Sequence, residues 1–174
     1  MRILPSILAP LALLAACSRP APPPAATPPK PAAPVLSFDG FGPARFGARL
    51  ADIEQQLGAK AEQLGENDPA CSSVRFKSLP GARLMVENGV VTRADADAGT
   101  ANGLGLKVGD TLAKAKEAHP ELDIGPHKYL PAGHYLTAKS PDGRAAIVME
   151  EDGKAITKIR AGLQPAVSYV EVCL

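Results

Sequence analysis

The chain has no tryptophan, and aromatic residues make up only 4% of its 174 positions. A long aromatic-lined groove of the kind that stacks bases is therefore excluded, and any core must be built from Ala, Val, Leu and Ile. Nor is there an excess of either charge: 19 Lys and Arg face 18 Asp and Glu, and loss of Arg2 with a leader would make the two equal. A neutral domain does not bind nucleic acid through its phosphates. No apolar run reaches the roughly 20 residues that a membrane-crossing helix needs. Catalytic signatures are also lacking. No Gly-x-Ser-x-Gly elbow surrounds Ser72 or Ser73, and the stretch Gly103 to Gly109 has no Gly-Lys-Ser/Thr end. Neither Cys71 nor Cys173 has a His or Cys at ligand spacing, and Asp95-Ala96-Asp97 lacks the further oxygens and closing Glu of a calcium loop. These absences imply no metal, no cofactor and no nucleic-acid partner.

What the chain does have begins at Met1. A short positive start at Arg2, an apolar run from Ile3 to Leu14 and small residues closing it have the anatomy of an export signal. Its ending, Leu14-Ala15-Ala16-Cys17, resembles the bacterial lipobox. That resemblance implies that Cys17 receives a diacylglycerol, becomes the first mature residue and is acylated, which anchors the chain to a membrane almost permanently. Ser18, where an Asp would favour retention at the inner membrane, implies the periplasmic face of an outer membrane. The competing reading is an ordinary signal peptide with a coincidental Cys. Residues 19–35 then carry eight prolines in 17 positions. At about 3.1 Å per residue such an extended spacer reaches roughly 50 Å, holding a domain away from the lipid.

The remainder repeats itself. A shift of 62 residues lays Arg45-Phe46-Gly47-Ala48-Arg49-Leu50-Ala51 on Lys107-Val108-Gly109-Asp110-Thr111-Leu112-Ala113, and Pro69-Ala70, Lys77-Ser78 and Gly81 on Pro131-Ala132, Lys139-Ser140 and Gly143. Two units are expected, 36–100 and 101–174. In the first, Leu50, Ile53 and Leu57 share a helical face and Gly58 stops it; in the second, Asp110 or Thr111 caps a helix carrying Leu112, Ala115 and Ala118. Strands are expected at Ser73 to Lys77, Arg83 to Glu87 and Val90 to Ala94, the last two joined by an Asn88-Gly89 hairpin turn. The second unit repeats them at His134 to Lys139, Ala145 to Glu150 and Ala155 to Arg160 across Asp152-Gly153, and adds a strand at Val167 to Val172. Glu62 to Asn67 reads as one helical turn at most.

The expected fold is α+β: two tandem repeats, each a short helix on an antiparallel meander, each sheet leaving one face available. The lipobox, the paired helix starts at Gly47 to Ala51 and Gly109 to Ala113, and the two Asn/Asp-Gly hairpins resemble the β-lactamase-inhibitor-protein-like group. That group includes the outer-membrane assembly lipoproteins of the SmpA/OmlA type. The resemblance implies a binding role, as inhibitor or as envelope-assembly accessory.

With Cys17 lipidated, Cys71 and Cys173 are an even pair in an oxidising compartment, so a disulfide is expected, two separate buried thiols being the competing reading. The three tyrosines, Tyr129, Tyr135 and Tyr169, all fall in the second unit, whereas Phe38, Phe41, Phe46 and Phe76 fall in the first. Phe suits a sealed core and Tyr a boundary with water. His127, Lys128, Tyr129, His134 and Tyr135 therefore form a candidate recognition loop for an envelope or secreted protein partner, although Tyr rings that merely cover a sheet edge would read the same way. The functional expectation is a non-catalytic, lipid-anchored envelope binding protein. The alternatives are an envelope hydrolase using His127 or His134 as base, and a lipoprotein that binds glycan or a small ligand.

Overall fold

The computed structural model describes residues 32–66 and 68–173. Cys17 and most of the Pro-rich stretch lie outside the described residues.

Helix α1 (Leu50–Leu57) forms where the Leu50, Ile53 and Leu57 spacing places it, with Ile53 buried. Gly58 closes it in the left-handed region at φ 60°, donating its amide to the Gln55 carbonyl. Helix α2 (Leu112–Ala118) opens on Thr111, whose hydroxyl accepts the Lys114 amide, and buries only Ala115. Three two-residue strands precede α1: β1 (Leu36–Ser37), β2 (Gly40–Phe41) and β3 (Ala44–Arg45), which form a small antiparallel sheet. Too short to show an alternating pattern, they leave no trace in the sequence.

The other strands are β4 (Glu62–Leu64), β5 (Cys71–Phe76), β6 (Leu79–Glu87), β7 (Val90–Ala96), β8 (Asp123–Pro126), β9 (His134–Lys139), β10 (Ala145–Glu151) and β11 (Ile156–Leu163). They form one antiparallel sheet in the order β4-β5-β6-β7-β11-β10-β9-β8, not the two separate sheets expected. The join is β7 on β11, with Gly162 opposite Arg93, Ala161 opposite Ala94 and Arg160 opposite Asp95. Gly162 is required at this seam, because a Cβ there would stand 2.5 Å from the Thr92 carbonyl oxygen. Asn88 and Gly89, at φ 49° and 79°, make the β6–β7 turn with both residues left-handed, the twist that suits a hairpin. The β10–β11 connection is longer than the expected Asp152-Gly153 pair: Asp152 to Ala155 are held by the Asp152 carboxylate, which accepts the amides of Lys154 and Ala155.

One sheet face carries the core. Val74, Phe76, Leu84, Val91, Ile147, Met149, Leu136 and Ile159 pack there with Ile53 and Ala115 of the helices and with Leu36, Phe41 and Ala44 of the small sheet. Among the described residues no helix is long and apolar enough to cross a membrane.

Two further segments differ from what the sequence leads one to expect. Glu62–Leu64 is the edge strand β4, not a helical turn. Val167 to Val172 is not a strand: a 3₁₀ turn at Ala166–Ser168 leads into an irregular tail. The reason is hydrogen-bond supply. β11 already pairs with β7 and β10 on its two sides, so the tail cannot fold back onto the strand it leaves, and guanidinium groups take its carbonyls instead.

Candidate interaction surface

The register fixes what the second sheet face carries. Alternation puts Arg83 and Met85 of β6, Arg93 and Asp95 of β7, Lys158 and Arg160 of β11, and Ala146, Val148 and Glu150 of β10 on the side away from the helices. That face is only partly open, because the tail crosses it. Val167 packs into a small second core with Ala146, Val148 and Tyr135. Beyond it Cys173 is bonded to Cys71 of β5, 102 positions earlier in the chain, with an S–S distance of 2.08 Å.

The tail is held by two nearly inaccessible arginines. Arg93, with 2% of its side chain exposed, makes a two-pronged pair with Asp95 at 3.0 and 2.5 Å. Its remaining nitrogen donates to the Tyr169 carbonyl at 2.6 Å and the Ala166 carbonyl at 3.5 Å. Arg160 donates from Nε to the Val167 carbonyl at 2.8 Å and pairs with Glu150. Buried carbonyls left without a donor are costly, so each guanidinium does for the tail what a neighbouring strand would do. Burial first, then the neighbouring Arg93 charge, push Arg160 below its ordinary pKa, against the pull of Glu150. For Glu150, burial would raise the pKa, but the Arg160 charge and hydrogen bonds from Lys158 and Arg160 outweigh it and hold the carboxyl below its ordinary range. A carboxylate whose folded pKa is depressed contributes stability that is complete above the unfolded value and is lost as pH falls through the folded one. Acidification below about pH 4.5, the carboxyl's ordinary value, should therefore loosen the tail, seen as faster hydrogen exchange at residues 166–170. In Glu150→Gln that acid-dependent step should be absent.

The loop singled out in the sequence joins β8 to β9 and reaches the tail. His127 stacks on Tyr135, centroids 4.6 Å apart, and its Nδ1 accepts the amides of Tyr129 at 3.1 Å and Leu130 at 3.3 Å. Its Nε2 faces Glu150 at 3.6 Å, and only 7% of its side chain is exposed. Gly133 lets the loop approach β10, since a Cβ there would meet the Glu151 carbonyl at 2.5 Å. Tyr129 is exposed; its hydroxyl donates to Glu171 of the tail, and this bond lowers the Glu171 pKa. Lys128 lies over the Tyr129 ring at 4.9 Å and 3.8 Å from Glu171. His134 is separate in role: it sits on β9 with Nδ1 2.9 Å from the buried Glu151. The five residues thus divide. Lys128 and Tyr129 present a surface, His127 and Tyr135 form the loop's packed base, and His134 belongs to an ion-paired strand end. Tyr169, expected in a strand, is partly exposed in the tail.

Between the tail, Leu64 to Glu66 with Asp68, and the sheet lies a cleft of about 620 Å³, with Arg83, Asp95, Glu150 and Lys158 among its lining residues. A second hollow of about 380 Å³ shares Val170 to Cys173 with it. Of the cleft's charged side chains only Asp95 was weighed from the sequence, and that for calcium rather than for binding a partner. The available signal was charge at alternate positions within apolar strands, Arg93 and Asp95, then Lys158 and Arg160. Among the described residues no three of His, Cys, Asp and Glu stand close enough to hold a metal ion. No protein-family model, curated protein or solved structure matches the chain. Fold and surface together define a strand-dominated α+β domain whose second sheet face is a charged cleft bridged by a disulfide-latched tail.

Proposed function

We propose that the chain is a non-catalytic cell-envelope lipoprotein, anchored through Cys17, that presents this domain to a protein partner. The observation that carries the reading is the bridged cleft itself. An exposed Tyr and Lys stand on a loop whose base is fixed by the His127–Tyr135 stack, beside an open charged floor. A rigid aromatic anchor loses little entropy on binding, which is the property of a recognition surface. The loop geometry favours this over hydrolysis with His127 as base, because its Nδ1 is committed to two backbone amides and its ring is stacked. A cleft of about 620 Å³ also favours, as a second reading, a small-ligand-binding lipoprotein.

We further infer that 36–100 and 101–174 are copies of one unit. In support, α1 precedes β4 to β7 and α2 precedes β8 to β11, the two sets run inward from opposite edges of the sheet, and Leu50 and Leu112, which open the helices, lie 62 positions apart. This arrangement is the support for the proposed likeness to the β-lactamase-inhibitor-protein-like and SmpA/OmlA-type lipoproteins, with residence on the periplasmic face of an outer membrane.

The anchor is tested by metabolic acyl labelling. The wild-type chain should take up label and partition into detergent, and Cys17→Ser should do neither. Equal label on the two chains would overturn the lipoprotein reading.

A further inference from the structure

On the strands beneath the cleft the charges do not pair one to one. Arg83, Arg93 and Lys158 line it and Arg160 shares their sheet face, and the carboxylates these strands set among them are Asp95 and Glu150. Both oxygens of Asp95 are held by Arg93, and both oxygens of Glu150 are approached, one by Arg160 and one by Lys158 at 3.1 Å. Arg83 is left over. Among the described residues it donates no hydrogen bond; its nearest carboxylate is the committed Asp95 at 3.8 Å, and its Nε is buried without a partner. Arg75, by contrast, is fully engaged by Asp97 at 2.7 Å through two nitrogens. Lys158 shares its one carboxylate with Arg160 and keeps most of its side chain in solvent. Arg83 and Lys158 both line the large cleft and an adjoining hollow of about 240 Å³, so the two cations stand where these meet; the carboxylates beside them are Asp95, held by Arg93, and Asp97, held by Arg75.

A guanidinium presents its donors in a planar fork that matches a carboxylate, and a second cation within reach strengthens the match. We infer that the Arg83–Lys158 floor is a binding site for a carboxylate, supplied by an Asp or Glu side chain of the protein partner. The rim of the cleft narrows the ligand further. Glu66 and Asp68 line one wall and Glu171 the tail, so an extended polyanion is repelled while a single acidic side chain reaches the floor. The inference deepens the partner-binding reading and rests on it for the owner of the carboxylate, since a free small acid would share the same chemistry.

The test follows the Arg83 Nε–H signal by NMR during titration with the blocked peptide acetyl-Ala-Glu-Ala-amide, with acetyl-Ala-Gln-Ala-amide, acetate and inorganic phosphate as separate arms. The Glu peptide should give a saturable shift in the millimolar range and the Gln peptide none. Affinity read from other cleft amides should fall at least about tenfold in Arg83→Gln and in Lys158→Gln, recover to within about threefold in Arg83→Lys, and stay within about twofold in Arg75→Gln. Equal response to the Glu and Gln peptides, or binding that survives Arg83→Gln in protein with unchanged melting, would overturn the site. Acetate binding as tightly as the peptide would overturn its assignment to a partner side chain, and phosphate binding more tightly than either would overturn its assignment to a carboxylate. Failure here leaves the anchored binding protein intact, whereas failure of partner capture with an intact Glu-peptide response removes the partner and leaves the site.

Discussion

Replacing Arg93 by alanine is expected to cost about 3 kcal/mol of folding stability, near the lower end of what is lost when one member of a buried ion pair is removed. Arg93 is almost wholly buried, and its loss strips Asp95 of both hydrogen bonds and the tail of the donor to Tyr169 and Ala166. The lower end is expected because Arg83, now 3.8 Å from Asp95, can close on the freed carboxylate. Arg93→Lys should recover part of the loss, since it restores the charge but not the fork. The double replacement Arg93→Met with Asp95→Leu should cost less than Arg93→Ala, because no uncompensated charge is left under the tail. Urea denaturation checks all three; a loss below about 1 kcal/mol for Arg93→Ala would mean that the tail is not held by this guanidinium.

The second large effect belongs to the disulfide. Joining Cys71 to Cys173 closes a loop of 102 positions, for which the chain-entropy model gives a ceiling of roughly 4.7 kcal/mol. Cys71→Ala/Cys173→Ala should therefore lower stability by about 4 kcal/mol. The folded state loses less order than that figure suggests. Arg93, Arg160 and the Val167 contacts still hold the near half of the tail, so hydrogen exchange should quicken at residues 170–173 well before 166–169. An unchanged denaturation midpoint in the double variant would refute the constraint, and uniform exchange along the tail would refute the role of the two arginines.

The first of these predictions falls where the sequence was hardest to read, and the reason is physical. The helices and hairpins announce themselves locally: Leu50, Ile53 and Leu57 before Gly58, Thr111 before Leu112, and Asn88-Gly89 between alternating strands all act within a few residues of the bonds they specify. Strands β4 and β8 span only three and four residues, too few for a period to emerge, and β8 carries Gly125 and Pro126, which argue against a strand. The tail misleads for the opposite reason. Val167, Val170 and Val172 have strand-forming character, but its backbone is paired by side chains from β7 and β11, more than 70 positions away for Arg93 to Ala166 and Tyr169. No local pattern encodes such a pairing. The disulfide was legible because an even number of thiols remained; the shared sheet was not, since two meanders can stand apart or join, and the seam rests on the absence of a side chain at Gly162. At the surface, Lys128 and Tyr129 were found by composition. Arg83 and Lys158 were missed because nothing in a single strand tells which of several alternating charges goes unpaired.

The central proposal is that the partner binds the second sheet face. Photo-cross-linking in the intact envelope tests this most directly, with the reactive side chain placed in turn at Ser73 and Val170, which line the cleft, and at Gln55 and Glu117 on the exposed sides of α1 and α2. The two cleft positions should yield one common adduct, dependent on Cys17, and the helix positions should not yield it. The same adduct from Gln55 and Glu117, with none from Ser73 or Val170, would place the partner on the helical side and contradict that proposal.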